Sequence, residues 1–146
     1  MIGLLQRVSS ASVTVGNSQI AAIQRGLLVL VGVQKEDGEP QANRLLERLL
    51  SYRVFPDTEG KMNLSLRDVA GGLLLVPQFT LAADTKKGTR AGFSTAAEPG
   101  RAQQLFEFLG SRARAQWPQT SSGVFGADMN VSLVNDGPVT FWLEAN

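Results

Sequence analysis

The chain has 146 residues, 43% of them hydrophobic and 18% charged, and its formal net charge is +1. This length and composition predict one folded domain over residues 1–146, and the small net charge argues against a protein that coats nucleic acid. The chain contains no cysteine and no histidine, which excludes disulfides, thiol nucleophiles and a Ser-His-Asp hydrolase.

The N-terminal part predicts a hairpin or meander followed by a central strand. Ile2 to Val8 is mostly apolar, and the alternating stretch Ser12 to Val15 is separated from Ser18 to Ile23 by the turn signal Gly16-Asn17. The run Leu27 to Val33 is apolar throughout. It predicts a strand covered on both faces, because neither of its sides is polar.

Two segments have the spacing of amphipathic helices. The first follows Pro40, which suits the first turn of a helix, and the second runs from Arg101 to Ala115 and ends at Trp117-Pro118. Their predicted buried faces consist of Ala42, Leu45, Leu46, Leu49 and Leu50 in the first helix, and Ala102, Leu105, Phe106 and Leu109 in the second.

Between the helices the pattern predicts one short and one buried strand. Lys61 to Leu66 fits the short strand, and Leu73 to Val76 fits a buried strand that ends at Pro77, because proline has no N–H for the ladder. No periodicity is visible from Ala82 to Pro99. Ser121-Ser122-Gly123 predicts a turn ahead of the last strands.

The end of the chain contains two apolar runs, Met129 to Val134 and Val139 to Leu143, separated by Gly137-Pro138. By spacing alone, a Gly-Pro pair between strands predicts a tight hairpin. The neighbours Phe141 and Trp142 must point to opposite faces, so one ring leaves the core, which indicates a subunit interface. The whole pattern predicts an α+β fold: a mainly antiparallel, barrel-like β-sheet with two amphipathic helices.

Two polar stretches are candidates for ligand binding. Gln78 and Thr80 follow the end of a buried strand, where they can present hydrogen-bond donors. Lys86, Lys87 and Arg90 form a basic, flexible segment shortly afterwards, and loops often carry function. The alternative for these three cations is that they only keep the surface soluble.

Pro77-Gln78-Phe79-Thr80 and Asn135 to Thr140 together resemble the signature pair of the D-aminoacyl-tRNA deacylases, Ser-Gln-Phe-Thr and Asn-x-Gly-Pro-Val-Thr. The resemblance runs nearly from end to end, and the order and spacing of its parts make it specific. The other parts are Gln6-Arg7-Val8 with Ala11-Ser12-Val13, Gly60 to Asn63, Lys87 to Arg90 with Phe93, and Gly126 to Met129.

The resemblance implies a cytoplasmic homodimer that hydrolyses the ester between a D-amino acid and the 3′ end of a tRNA. Gln78, Phe79 and Thr80 would line an active site at the dimer interface. Gly137-Pro138, with a cis bond, would reach across from the other subunit. The sequence shows no apolar stretch long enough to span a membrane and no signal-peptide pattern, which agrees with a cytoplasmic location.

Further site residues are carried over from the same resemblance. Pro77, Met129 and Arg7 would contribute to binding the aminoacyl group, and the basic segment of Lys86, Lys87 and Arg90 would contact the tRNA. Pro77 stands where the family usually has serine, so a backbone carbonyl or a water must take over any contact that a serine hydroxyl makes with the amino group. No cofactor is expected, nor a catalytic metal, because His and Cys are absent and no carboxylates have convincing ligand spacing.

Two accounts of the chemistry stay open. Thr80 can be the nucleophile, although no base lies at an obvious spacing to activate it. Alternatively, the free hydroxyl of the terminal ribose positions or activates water, and backbone N–H groups near Phe79 and Thr80 stabilise the oxyanion. The competing functions are a non-catalytic module that binds RNA ends or peptides, and a small-ester or peptide hydrolase unrelated to tRNA.

Chirality is predicted to be enforced by exclusion. When the amino group and the ester carbonyl are anchored, D and L residues differ only in where Cβ points, so a rigid backbone wall at Gly137-Pro138 rejects L residues. Glycine has no Cβ, and glycyl-tRNA is therefore expected to be hydrolysed as well.

Overall fold

The architecture is organised by one long strand that is paired along both of its edges. In the computed structural model, which describes residues 1–146, this strand runs unbroken over Ile2–Val15, so the two stretches predicted there form a single strand. The elements in chain order are β1 Ile2–Val15, β2 Ser18–Ile23, β3 Gly26–Gly32, α1 Glu39–Ser51, β4 Phe55–Pro56, β5 Met62–Leu64, α2 Leu66–Val69, β6 Gly72–Pro77, a 3₁₀ turn Phe79–Ala82, α3 Pro99–Gln116, β7 Thr120–Ser122 and β8 Asn130–Glu144.

Six strands form one mixed, barrel-like sheet. β3 pairs with the first half of β1 and β2 with its second half, while β8 runs along the opposite edge, and all three pairings are antiparallel. β3 pairs with β6, and β6 with β7, in parallel. The α+β fold with a barrel-like, mainly antiparallel sheet is thus confirmed. The two parallel pairings were not predicted from the sequence.

Both faces of the sheet are covered by apolar side chains. A cluster of 23 buried residues joins one face to α1 and α3 and includes Leu27 and Val29 of β3. A second cluster of 8 buried residues lies on the other face and includes Leu28 of β3 and Leu74 of β6. Because alternate side chains of β3 enter different clusters, the prediction of a strand buried on both sides is confirmed.

The two predicted amphipathic helices are present and bury the predicted faces. α1 begins at Glu39, has Pro40 in its first turn, and buries five apolar side chains between Ala42 and Leu50. α3 buries Ala102, Leu105, Phe106 and Leu109. Each fully buried leucine contributes about 2 kcal/mol by removal from water, so these faces hold the helices on the sheet.

A third, one-turn helix occupies part of a predicted strand. The strand expected over Lys61 to Leu66 ends at Leu64, and α2 begins at Leu66. Ser65 and Asp68 cap each other: the Asp68 N–H donates to Ser65 Oγ at 3.3 Å, and the Ser65 N–H donates to Asp68 Oδ2 at 2.8 Å. The latter bond lowers the pKa of Asp68. This reciprocal capping satisfies two backbone donors that a short helix otherwise leaves free.

The predicted turn at Ser121-Ser122-Gly123 is wrong, because the chain forms β7 over Thr120–Ser122. β7 pairs in parallel with Leu73, Leu74 and Leu75 of β6. Small polar residues favour turns locally, but here the exposed edge of β6 supplies backbone partners that a local turn cannot.

The predicted hairpin at Gly137-Pro138 is also wrong. β8 continues in one direction, and β1 is its partner on both sides of the Gly-Pro pair: Val8 pairs with Asn135, and Gln6 pairs with Thr140. The four residues 136–139 therefore leave the ladder as a bulge opposite Arg7. A proline is tolerated there because a bulge requires no ladder N–H from it. Residues 136–139 are called the β8 bulge below.

Candidate active site

The Gln-Phe-Thr stretch forms a tight turn at the end of β6. The Gln78 N–H donates to the Val31 carbonyl at 2.8 Å, and the chain then leaves the sheet in the 3₁₀ turn that begins at Phe79. The Gln78 side chain donates through Nε2 to Thr80 Oγ1. The Phe79 ring is 57% exposed and lies 5.3 Å from the Phe93 ring between centroids. The turn therefore presents its polar groups at the surface in a fixed arrangement.

Two backbone donors of this turn are unused. The N–H groups of Phe79 and Thr80 find no acceptor, whereas those of Leu81 and Ala83 donate to the carbonyls of Gln78 and Thr80. The first amides of any helical turn lack partners within it. Two free donors side by side are the arrangement that stabilises a developing oxyanion.

A groove of about 300 Å³ lies beside the turn. It is lined by Val76, Pro77, Gln78, Phe79, Phe125, Gly126, Ala127, Asp128, Met129 and Val131. The structure thus brings four of the predicted site residues together: Pro77, Gln78, Phe79 and Met129. A Cβ on Gly123 would stand 2.8 Å from Met129 Sδ and 3.4 Å from Pro77 Cδ, so the absence of a side chain there allows these two walls to approach.

The β8 bulge projects Gly137 and Pro138 into solvent at another place on the surface. Its neck is closed by Asn135, whose Oδ1 accepts the Val139 N–H at 2.8 Å and whose Nδ2 donates to Thr140 Oγ1 at 2.9 Å. The Gly137-Pro138 bond is cis. Asn135 was part of the recognised motif, but its clamping role was not predicted, because it depends on a bulge that the sequence does not reveal.

Arg7 holds the base of the β8 bulge. Its Nε donates to the Asp136 carbonyl at 3.0 Å, and its Nη1 donates to the Val54 carbonyl at 2.7 Å. Its Nε also lies 3.5 Å from Asp136 Oδ2. The arginine was predicted to bind substrate, and the structure gives it a position under the bulge rather than in the groove.

Within one chain, the predicted site residues fall into separate places. Gly137, Pro138 and Arg7 do not line the groove beside the Gln78–Thr80 turn. The resemblance implies that two subunits combine these groups, and this stays a prediction.

The basic segment lies in a loop that follows the Gln78–Thr80 turn in the chain. Asp84 and Gly92 exchange two backbone hydrogen bonds of 2.8 and 2.9 Å, which close the loop at its base. The Lys86 N–H is fixed by Asp84 Oδ1 at 3.0 Å, whereas the Lys87 and Arg90 side chains are exposed. All three cations remain available to a polyanion.

Sequence reasoning missed several groove residues. Phe125, Asp128 and Val131 line the groove with Met129. The signal was present, since Gly126-Ala127-Asp128-Met129 is one of the matching segments, but only Met129 was selected from it. The structure contains no group of three or more Asp and Glu side chains close enough to hold a metal, and none of its helices is long and apolar enough to cross a membrane.

Comparison with known proteins gives close relatives over almost the whole chain. Residues 4–144 match the family described as D-Tyr-tRNA(Tyr) deacylase. A D-aminoacyl-tRNA deacylase of Alkalilimnicola ehrlichii is 61% identical over 145 residues, covering 99% of this chain and 97% of the relative. One of Vibrio cholerae is 60% identical over 145 residues, covering 99% of this chain and all of the relative.

Solved structures have the same fold. A protein described as c-Myc DNA Unwinding Element Binding Protein superimposes with a TM-score of 0.95 at 38% identity, covering all of this chain and 99% of the other. A probable eukaryotic D-amino acid tRNA deacylase superimposes with a TM-score of 0.85 at 17% identity, covering 98% of each chain. At that low identity the second likeness supports the fold alone.

Proposed function

The chain belongs to the D-Tyr-tRNA(Tyr) deacylase family, and we propose that it hydrolyses the ester between a D-amino acid and the 3′ end of a tRNA in the cytoplasm. The observation that carries this proposal is the groove lined by Gln78 and Phe79, beside a turn in which the Phe79 and Thr80 amides donate to no acceptor. Such a site suits an acyl group whose carbonyl oxygen becomes negative during hydrolysis.

The reaction needs little from side chains. Water attacks the carbonyl carbon of the ester. The bond between that carbon and the ribose oxygen breaks, and a proton passes to the ribose oxygen, which releases a free D-amino acid and tRNA. The free hydroxyl of the terminal ribose lies beside the ester and orients the water. The Thr80 hydroxyl is already engaged by Gln78, and no histidine or cysteine is available to activate it. Thr80 is therefore assigned to orientation rather than to nucleophilic attack.

A deacylation assay tests this function. Purified protein is incubated with D-tyrosyl-tRNA and with L-tyrosyl-tRNA, and release of tyrosine is followed. The D ester is expected to be cleaved and the L ester spared. A binding module would retain both esters, and a general esterase would cleave both, so each rival predicts a different result from the same measurement.

We further propose that the active form is a homodimer in which the β8 bulge of one subunit faces the Gln78–Thr80 turn of the other. β8 pairs with β1 along one edge only, so the outer edge of a long strand is unpaired. Val134 and Trp142 on this strand are 57% and 52% exposed. Long exposed edges with apolar side chains are normally covered in stable proteins. Phe141 is 36% exposed, and its ring centroid lies 5.9 Å from that of Tyr52.

Sedimentation at micromolar concentration is expected to give twice the mass of one chain. The unpaired edge of β8 supplies the physical reason, because a second chain can cover it. A single monomeric species at that concentration would contradict the arrangement in which each site needs two subunits.

The basic loop is proposed to contact phosphates near the tRNA 3′ end. Changing Lys86, Lys87 and Arg90 together to alanine should weaken tRNA binding and reduce the slope of log K against log salt by about 2, because roughly 0.7 counterion is released per contacted phosphate of a single strand. The measurement is a salt titration of binding to uncharged tRNA.

A control variant with the same loss of charge separates contact from general attraction. Lys35, Arg44 and Arg112 are exposed and lie outside the loop. Changing these three to alanine should leave most of the salt slope unchanged. If both triple variants have the wild-type slope, the loop serves only solubility.

A further inference from the structure

The two ends of the β8 bulge are held by different side chains. At the beginning of the bulge, Arg7 Nε donates to the Asp136 carbonyl at 3.0 Å. At its end, Asn135 Oδ1 accepts the Val139 N–H at 2.8 Å, and Asn135 Nδ2 donates to Thr140 Oγ1 at 2.9 Å. The Asn135 side chain therefore crosses the neck of the bulge. It ties the residue before the bulge to the last residue of the bulge and to the first residue after it.

The bonds of Asn135 are longer in range than those that asparagine makes in an ordinary turn. In such turns its side chain bonds to the backbone two residues later. Here the bonds reach four and five residues along the chain. They span a segment that the ladder does not hold, since Arg7 alone stands opposite residues 136–139. A backbone segment without ladder bonds gains conformational freedom, and a cross-link at its neck removes much of that freedom.

Val139 transmits this restraint to Gly137. The Val139 Cγ2 atom and the Val139 nitrogen stand 2.8 and 3.0 Å from the position that a Cβ of Gly137 would take, so Val139 lies against the glycine. Val139 also packs against the cluster of 23 buried residues. While Asn135 fixes the Val139 N–H, the backbone of Gly137 has little space in which to withdraw. The contact between Asn135 and Val139 thus bears on the exposed surface of Gly137-Pro138.

We propose that Asn135 is a positioning residue for the rejection of L-aminoacyl esters. The proposal rests on the proposed function, in which the β8 bulge of one subunit faces the site of the other. Steric repulsion falls steeply with distance, so a wall that withdraws by about 1 Å rejects an L residue far less. Hydrolysis of a D ester does not need the wall, because the Cβ of a D residue points elsewhere. Loss of the Asn135 contacts therefore releases L hydrolysis and spares D hydrolysis.

The first experiment measures initial rates of D-alanyl-tRNA and L-alanyl-tRNA hydrolysis. Asn135→Ala removes both contacts and should raise the rate for the L ester at least about 10-fold, while the rate for the D ester changes by less than about 3-fold. Thr140→Val removes one contact and should give a smaller rise of about 3-fold for the L ester. Thr140→Ser keeps the hydroxyl group that accepts from Asn135 and should retain the wild-type preference.

Asn43→Ala is the matched control, because it removes the same side chain from an exposed position on α1. It should leave both rates unchanged. A merely structural role of Asn135 would lower both rates together, through loss of folded protein or of the dimer. Equal changes for the two esters in Asn135→Ala, or an L ester that stays spared, would overturn the proposal. If Asn135→Ala does not fold, the comparison of Thr140→Val with Thr140→Ser decides by the same criterion.

A binding measurement separates this proposal from the proposed function. The ligands are the 3′-linked D-alanyl and L-alanyl amides of adenosine, which are not hydrolysed readily. Asn135→Ala should bind the L amide at least about 10-fold more tightly than the wild type does, with binding of the D amide unchanged. This result can be obtained even if the protein cleaves no ester. Equal affinities of the wild type for the two amides, or an unchanged L affinity in the variant, would contradict the role of Asn135.

Discussion

Gly26→Ala is expected to lower the free energy of unfolding by about 3 kcal/mol or more, a large part of the roughly 5–15 kcal/mol typical of a domain. A Cβ at Gly26 would lie 1.9 Å from the carbonyl oxygen of Gly72, a distance that real Cβ atoms essentially never show. The obstacle is backbone, so no rotation of a side chain relieves it.

The surroundings prevent the two strands from moving apart. Gly26 and Gly72 are the first pair in the parallel register of β3 and β6, and the next pair, Leu27 and Leu73, is completely buried. Separating the strands would break ladder hydrogen bonds and open a cavity between two packed faces. Gly26 is therefore a point where the backbones of β3 and β6 approach closely.

Denaturant unfolding of Gly26→Ala and Gly100→Ala provides the measurement and its control. Gly100 lies in the first turn of α3, and a Cβ there meets nothing within 4 Å. The Gly100 variant should be neutral or more stable by up to about 1 kcal/mol, because alanine favours a helix. A transition midpoint for Gly26→Ala that equals the wild-type value would show that β3 and β6 can separate without cost.

The second large effect concerns the substrates. On one tRNA body, D-alanyl and glycyl esters should be cleaved at rates within about 10-fold of each other, and the L-alanyl ester should react at least about 100-fold more slowly, which corresponds to about 3 kcal/mol of steric rejection. The reason is that a wall acting on Cβ cannot recognise a residue that has none.

The geometry of the β8 bulge supports a rigid wall. On the side where Gly137 would carry a Cβ, Val139 Cγ2 and Arg7 Nη2 already stand 2.8 and 3.2 Å from the Cβ position. Arg7 is itself fixed by the carbonyls of Asp136 and Val54. The bulge is therefore supported from behind and cannot retreat from an L side chain that presses on its exposed surface.

Initial rates with the D-alanyl, L-alanyl and glycyl esters test whether rejection acts on Cβ. Their spontaneous hydrolysis without protein is subtracted, because the esters differ in intrinsic reactivity. If glycyl-tRNA proves as resistant as L-alanyl-tRNA, exclusion of Cβ is wrong, and direct recognition of a D side chain must replace it.

The elements that the sequence predicted well are those whose signal is contained in their own residues. α1 and α3 have an apolar face at helical spacing, and β3 is apolar on both sides, so burial of these residues was readable from their order alone. The end of β6 at Pro77 was readable too, because a missing N–H is a property of the residue itself.

Two of the mispredicted elements have different causes, one distant and one local. Ser121 and Ser122 have a turn composition, and they join a strand only because β6 offers an open parallel edge. Ser65 and Asp68 stop β5 by capping α2, a short-range signal that the strand pattern outweighed. For Ser121 and Ser122 a weak local preference was decided by the backbone groups that β6 left without hydrogen bonds.

For the site, the sequence motifs singled out candidates: the Gln78–Thr80 stretch, Met129 and the Gly137-Pro138 pair. Where the last pair lies in the fold became clear only from the pairing of β8 with β1. A Gly-Pro pair between apolar runs favours a hairpin locally. β1, however, is long enough to pair with β8 both before and after the Gly-Pro pair, so β8 forms its ladder without reversing direction. The pair is thereby extruded as a bulge held by Arg7, and a local turn signal becomes an exposed, rigid piece of backbone.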